Sequence, residues 1–343
     1  MNRAIAVVHN AVRDSSLPDE QDVLIQVEAV SNALMALGYK PVPLPCDLDL
    51  EDLKSRLIVL DPFVAFNLVE SIDGHGRLIH LVPTLLDAMR IPYTGCSAEA
   101  ILATSHKVMA KERMKAGGIP TPDWINPVPQ DMPWTGATDS EDPDKKLWII
   151  KSLWEHASLG LEKENLVQGT AGEIHKLLSG CKPDMGGTCF AESFIEGREF
   201  NLSLLDMETG VRILPPAEIL FEGLDADMPR IVGYKAKWIQ DSVEYHNTPR
   251  CFDFPDADKG LLSVLENLAL KCWYRFGLKG YARVDFRVDD CGQPFVLEIN
   301  ANPCISPDAG FAAALERAHI TYTHAVEQIL IHRSQPAMLN KKS

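Results

Sequence analysis

Apolar residues in the first ninety positions follow two spacings. Ile5-Ala6-Val7-Val8 is a short continuous run, and Val64-Ala65-Phe66-Asn67-Leu68 is a second. Such runs predict buried strands. Between them Val23, Val27, Val30, Leu34 and Leu37 recur at helical spacing, which predicts a helix over 22–37 with Gly38 as its C-cap. Another helix is predicted over Leu81–Met89. This alternation predicts a mostly parallel sheet covered by helices. Ser97 reads as the N-cap of a further helical region, which has Lys107 in its middle and stops at Gly117-Gly118. Residues 119–146 are polar and proline-rich and predict an irregular, mobile connection. Leu147-Trp148-Ile149-Ile150-Lys151 predicts a strand that closes on a lysine. Strand character returns over 190–205, broken by a turn at Glu196-Gly197. A hairpin is predicted over 281–300, one closing helix over 311–331, and a frayed polar tail from Arg333. There is no internal repeat.

Composition narrows the function classes. The 343 residues are enough for two or three compact units, and 46% of them are hydrophobic, as in an ordinary globular protein. No apolar run approaches the roughly 20 residues of a membrane span, and the apolar part of the N-terminus is too short for a secretory signal. A formal net charge of −15 argues against a broad nucleic-acid interface. The eight cysteines show no C-x-x-C pair and no zinc spacing, and read as reduced, buried thiols of a cytoplasmic protein. There is no G-x-x-x-x-G-K-S/T, G-x-S-x-G or H-E-x-x-H, and Gly74-His75-Gly76 lacks the third glycine of a dinucleotide fingerprint.

The hairpin carries the strongest candidate chemistry. Arg283, Asp285 and Arg287 share one face of its first strand. Pairing Asp289 with Pro294 across the turn sets Asp285 opposite Glu298 and Arg283 opposite Asn300. Facing carboxylates repel unless a proton or cation lies between them. Hard oxygen donors favour Mg²⁺, which combines carboxylates with substrate phosphates. The structural alternative is a solvated face on which Arg283 and Arg287 pair the acids. Lys151 closes a buried strand, where an ammonium calls for an anion such as phosphate. Lys107 and Lys237 are further candidates. The loop from Glu155 to Gly160, with Ser158, could fold over phosphates. Glu192 and Glu199 flank the Glu196-Gly197 turn and suit an adenine amine or a ribose diol, or else are plain turn acids.

In this order, these residues resemble the D-alanine–D-alanine ligase branch of the ATP-grasp superfamily. The likeness runs from about Ile91 to Pro303. Its anchors are Ile91-Pro92-Tyr93-Thr94-Gly95, Lys107 after Thr104-Ser105-His106, Lys151, Phe194 to Glu199, Arg283-Val284-Asp285, and Leu297 to Pro303. The resemblance implies an α/β (α+β) ATP-grasp fold with an N-terminal doubly wound pre-ATP-grasp domain over 1–95. A central subdomain over 96–190, a catalytic subdomain over 191–335 and a tail over 336–343 would follow. It implies ATP, with Lys107 and Lys151 on its phosphates, Glu192 and the backbone near Ile195 at the adenine, and Glu199 at the ribose. Asp285, Glu298 and Asn300 would hold two Mg²⁺ ions, with Mn²⁺ as the alternative. Arg283 would support the developing oxyanion, Lys237 would steady the transferred phosphoryl group, and the loop at Ser158 would exclude water. The partners implied are small carboxylate and amine substrates, with neither nucleic acid nor membrane, and by analogy a homodimer.

The sequence departs from the pattern at the first-substrate side. The family's Gly-Gly-x-Ser-x-Glu run is replaced by His9-Asn10-Ala11-Val12-Arg13-Asp14, so its ammonium-binding glutamate is not recognisable. Ala157 stands where the family has a loop serine, Trp238 where it has a tyrosine, and Cys304 where it has a glycine. Glu70 or Asp73, just past a predicted strand end, would receive the substrate ammonium, or would be solvated loop acids. These departures predict a carboxylate–amine ligase for an amino acid or peptide other than D-alanine. The alternatives are an authentic D-alanine–D-alanine ligase, a nucleotide-binding module without catalysis, and an enzyme that phosphorylates a small acid without ligation.

Overall fold

The computed structural model describes residues 4–13, 18–126, 145–154, 163–180, 188–223, 230–239 and 241–334. The first sheet is parallel, in the order β2-β1-β3, built from β1 (Ala4–Asn10), β2 (Lys40–Cys46) and β3 (Val64–Asn67). Central β1 is buried at all seven positions, which explains its unbroken apolar run. β2 lies at the edge, where Pro41, Pro43 and Pro45 are tolerated because no further strand needs their missing N–H groups. Helix α1 (Pro18–Ala36) buries Val23, Val27, Val30 and Leu34, and Gly38 ends it in the left-handed region at φ 82°. Helices α2 (Leu50–Leu60) and α3 (Leu81–Met89) complete this layer. The chain returns to it at Ser334. Ser334 is buried and exchanges backbone hydrogen bonds with Tyr93, which itself bridges to Ala65. The expected fraying from Arg333 is therefore corrected as far as Ser334, and the rest of the tail lies outside the described residues.

The helical region after Ser97 is two helices, α4 (Ala98–Ser105) and α5 (Lys107–Ala116). Ser97 caps the first, as expected. The break falls at His106, whose backbone is extended and whose Nδ1 accepts from Met109 N–H as the cap of α5. Lys107 is thus the first residue of a helix and not the middle of one, and its N–H donates to Leu153 O at 3.1 Å. The connection at 119–146 is not wholly irregular, because it contains strand β4 (Trp124–Ile125). With β5 (Lys146–Ser152), β6 (Leu166–Gly169) and β7 (Cys189–Ser193), β4 forms an antiparallel sheet in the order β4-β7-β5-β6. Helix α6 (Ala171–Leu178) covers it, started by a capping box between Thr170 and Glu173. Because β7 belongs to this sheet, we propose the division between central and C-terminal units after Ser193 and not after Phe190. Cys189 is disulfide-bonded, against the expectation of thiols throughout.

The third sheet runs β11-β10-β8-β12-β13, with β9 on β8. Its strands are β8 (Arg198–Met207), β9 (Gly210–Ile213), β10 (Ala217–Ile219), β11 (Arg250–Cys251), β12 (Tyr281–Val288) and β13 (Pro294–Asn300). Helices α7 (Tyr234–Trp238) and α8 (Val243–His246) lie between β10 and β11, and α9 (Lys259–Phe276) packs on β8, β12 and β13. The closing helix is also two, α10 (Gly310–Arg317) and α11 (Tyr322–Ile331). His319 takes a left-handed conformation at φ 56° and Thr321 caps the restart.

The turn between β7 and β8 passes very close to the hairpin. At Gly197, φ is 137° and an added Cβ would lie 2.0 Å from the Val288 carbonyl oxygen. At Gly210, φ is 106° but a Cβ would meet nothing within 4 Å. Gly197→Ala is expected to cost about 2 kcal/mol or more, clearly beyond Gly210→Ala, in urea unfolding. Equal costs would contradict the close approach.

Candidate active site

β12 lies between β8 and β13, so its polar face meets both neighbours. Asp285 pairs in register with Asn201 on one side and Glu298 on the other, and Arg283 pairs with Asn300. The expected carboxylate juxtaposition is present, although the hairpin closes at Val288 opposite Pro294, not at Asp289. A bulge between the two halves of the ladder absorbs the one-residue difference. The buried positions of β13 are Pro294, Val296 and Ile299, and the three-residue step between the last two is one that strict alternation cannot make.

Asp285 is buried. Its Oδ1 accepts from Asn201 Nδ2 at 2.9 Å and from Arg283 Nε at 2.7 Å, and its Oδ2 from an Arg283 Nη at 2.8 Å. Burial opposes the Arg283 charge, but Asp285, with Glu298 nearby, more than offsets it and raises the guanidinium pKa. Here Arg283 serves Asp285, one part of the structural alternative considered for this face. Asn300 Oδ1 accepts from Asn302 N–H at 3.1 Å. The donor set of two carboxylates and one amide is all hard oxygen and fits a divalent cation. Among the described residues no three His, Cys, Asp or Glu side chains gather to hold a metal alone. Such an ion would need oxygen donors from a ligand, as Mg²⁺ bound with phosphates does.

A second cluster lies where α5 meets β5 and β7. Glu192 is 2% exposed, with Lys151 Nζ 2.6 Å from Oε1 and Lys111 Nζ 2.5 Å from Oε2. Both carboxylate oxygens are engaged by lysines, so the expected adenine acceptor sits in this structure beneath an ion pair. Burial pushes the Glu192 pKa up, but the two ammonium groups outweigh it and hold the carboxyl below its usual range. Burial holds Lys111 below the usual lysine value. Sequence reasoning missed Lys111, which stands one helical turn beyond Lys107 with nothing to mark it as 1% exposed. Lys107 reaches the same end of the sheet through its bond to Leu153, two residues past Lys151.

The remaining candidates separate. Glu199 is 3.1 Å from an Arg287 Nη, and that guanidinium lies over the rings of Phe194 and Phe221. Ile195 is half-buried just past β7. Glu70 accepts from Gln26 Nε2 at 2.6 Å and lines a small cavity with Thr104, Ser105, Asn300 and Asn302. Asp73 is instead paired with Arg13 at 2.8 Å. Cys304 Sγ lies 3.0 Å from Asp22 Oδ2 and 3.1 Å from Ser306 Oγ, and burial raises its thiol pKa well above the ordinary value. Trp238 is half-buried at the end of α7. The side chain of Lys237, and Ala157 and Ser158 with their loop, lie outside the described residues.

The family model described as the D-Ala D-Ala ligase C-terminus matches residues 114–331, well over half of the chain. The chain belongs to this family. It is an ATP-grasp ligase of the D-Ala–D-Ala ligase type, ATP-dependent and ADP-forming, and its family uses ATP with a divalent metal. An uncharacterized protein of Sinorhizobium fredii, y4sG, is 28% identical over 308 residues, covering 88% of this chain and 85% of that protein. A D-alanine–D-alanine ligase of Carboxydothermus hydrogenoformans is 28% identical over 319 residues, covering 92% and 95%. The crystal structure of the D-alanine–D-alanine ligase of Bacillus anthracis complexed with ATP aligns over 96% of both chains, with a TM-score of 0.72 at 20% identity, and supports the fold. No helix among the described residues is long and apolar enough to cross a membrane.

If the hairpin holds the cation, removing one carboxylate charge while keeping its shape should abolish turnover. Glu298→Gln is expected to lower ADP formation at least about 10²-fold with an unchanged unfolding midpoint. Near-normal ADP release would contradict the assignment.

Proposed function

We propose that this ligase activates a carboxylate as an acyl phosphate and joins it to an amine, with an amino acid or peptide other than D-alanine as acyl donor. Neither step requires a protein nucleophile. A carboxylate oxygen attacks the γ-phosphorus of ATP and ADP leaves; an amine then attacks the acyl carbon and phosphate leaves. The protein's part is to position reactants in line, neutralise charge and exclude water. Asp285, Glu298 and Asn300 would hold two Mg²⁺ ions, which would offset the charge of the phosphates. Lys151 and Lys107 would meet those phosphates, Arg283 the developing oxyanion, and Lys237 the transferred phosphoryl group.

The observation that carries the substrate reading is the position of Glu70. The end of β1 offers His9 and Asn10, both buried and neither acidic; Asn10 Oδ1 accepts from Glu70 N–H at 3.5 Å. The carboxylate that shares a cavity with Asn300 comes from the end of β3, where open α/β sheets bind ligands. Burying a substrate ammonium without a placed anion costs several kcal/mol, so the donor is recognised by a different carboxylate in a different place. Trp238 adds apolar area suited to a donor larger than alanine. Authentic D-alanine–D-alanine ligation is the second reading, favoured by the near full-length match to the Carboxydothermus hydrogenoformans ligase.

Steady-state assays with D-alanine as the sole amino acid separate the two. The expected result is ADP release at background level, with turnover recovered in a screen of amino acid and dipeptide pairs. Saturable D-alanyl-D-alanine synthesis at about 1 s⁻¹ or more would overturn the proposal in favour of the second reading.

A further inference from the structure

Lys111 is the most buried lysine of the candidate site, and its surroundings separate its task from that of Lys151. An ammonium has three donors. Around Lys111 Nζ there are three acceptors: Glu192 Oε2 at 2.5 Å, Thr121 Oγ1 at 2.8 Å and Pro122 O at 3.2 Å. It is 1% exposed, hydrogen-bonded to two of these oxygens and ion-paired to the third, and so has no path to a ligand. The Lys151 side chain is 15% exposed, and its Nζ is, among the described residues, hydrogen-bonded to Glu192 alone. It keeps donors for an incoming anion.

Charge explains why two lysines share one carboxylate. Without Lys111, a full negative charge would face Lys151, and the pair would present no net charge to a phosphate. With it, one buried carboxylate meets two ammonium groups, and a net positive charge remains on the exposed side. The same residue ties the cluster to the metal-candidate hairpin. Thr121 Oγ1 donates to Val296 O at 2.8 Å, and Val296 N–H donates to Pro120 O at 2.8 Å, both beside the bulge that sets Glu298 in register.

We propose that Lys111 is a positioning residue for nucleotide binding. It neutralises Glu192, fixes that carboxylate beneath Lys151, and so leaves Lys151 charged toward a nucleotide phosphate. This rests on the reading that Lys151 meets phosphate.

The test is binding, not turnover, on the full chain. Affinities for a non-hydrolysable ATP analogue with Mg²⁺, and for adenosine, are measured for the wild type, Lys111→Met, Lys151→Met and Lys111→Met/Glu192→Gln. Lys111→Met is expected to weaken the ATP analogue about tenfold or more and to leave adenosine unchanged. The double variant, which restores a lone positive Lys151, is expected to recover most of the lost affinity. Equal weakening of both ligands, no weakening, or no recovery in the double variant would overturn the proposal. If Lys151→Met leaves the ATP analogue unaffected, the phosphate reading of Lys151 fails and the Lys111 role falls with it. If Lys151→Met weakens binding and Lys111→Met does not, only the Lys111 role fails. Should Lys111→Met not fold, Lys111→Arg keeps the charge and is expected to bind the analogue like the wild type; loss of the analogue with adenosine retained would contradict a charge-based role.

Discussion

Two carboxylates stand opposite each other at Asp285 and Glu298, and the backbone ladder leaves them little choice. β12 is fixed on one side by β8 and on the other by β13, and the bulge in that second ladder brings the acids level. Like charges placed directly across a strand pair are unfavourable unless something positive joins them. Arg283 meets part of that demand by folding its guanidinium onto Asp285. A cation with further oxygen donors would meet the rest, and a nucleotide's phosphates supply such donors. Around these acids lie the Lys151–Glu192 pair, proposed to meet phosphate, the Glu70 carboxylate, proposed to meet the substrate ammonium, and the Thr121–Val296 contact that links the lysine cluster to the hairpin.

The three sheets each carry part of the candidate site. Glu70 stands just past the last strand of the parallel sheet. The antiparallel central sheet carries Lys151 and Glu192 on adjacent strands, and the C-terminal sheet carries the hairpin acids. Hydrogen bonds tie their edges together. Lys107 N–H reaches Leu153 O, Asn302 Nδ2 reaches Val69 O at 3.0 Å, and Ile305 N–H reaches Gln26 Oε1 at 3.0 Å. Hydrogen bonds between backbone and side-chain groups thus hold segments remote in sequence against one another.

Much of this was legible in the sequence, for physical reasons. The period-two face of 281–288 marks Asp285, and the Asp289 to Gln293 turn allows few pairings, so the partners Glu298 and Asn300 could be named. The bulge could not, because an extra residue in one strand leaves no mark when Phe295, Val296 and Leu297 are all apolar. The break at His106 was hidden because histidine is an uncommon cap, and the restart after His319 because no glycine marks it. Lys111 was invisible for a different reason. A lysine is ordinarily solvated, and only the packing of α5 against β7 and the Thr121 segment turns it into a buried counter-charge. Asp73 was as good a candidate as Glu70 until Arg13 was found paired with it.

The central claim is that hairpin acids and central lysines form one site for a metal-bound nucleotide. Calorimetric titration of the wild-type chain with a non-hydrolysable ATP analogue, in Mg²⁺ and again in EDTA, tests it most directly. The account predicts binding at least about tenfold tighter with Mg²⁺, with that gain lost in Asp285→Asn. Equal affinity with and without the cation, or a Mg²⁺ effect that survives in Asp285→Asn, would contradict it.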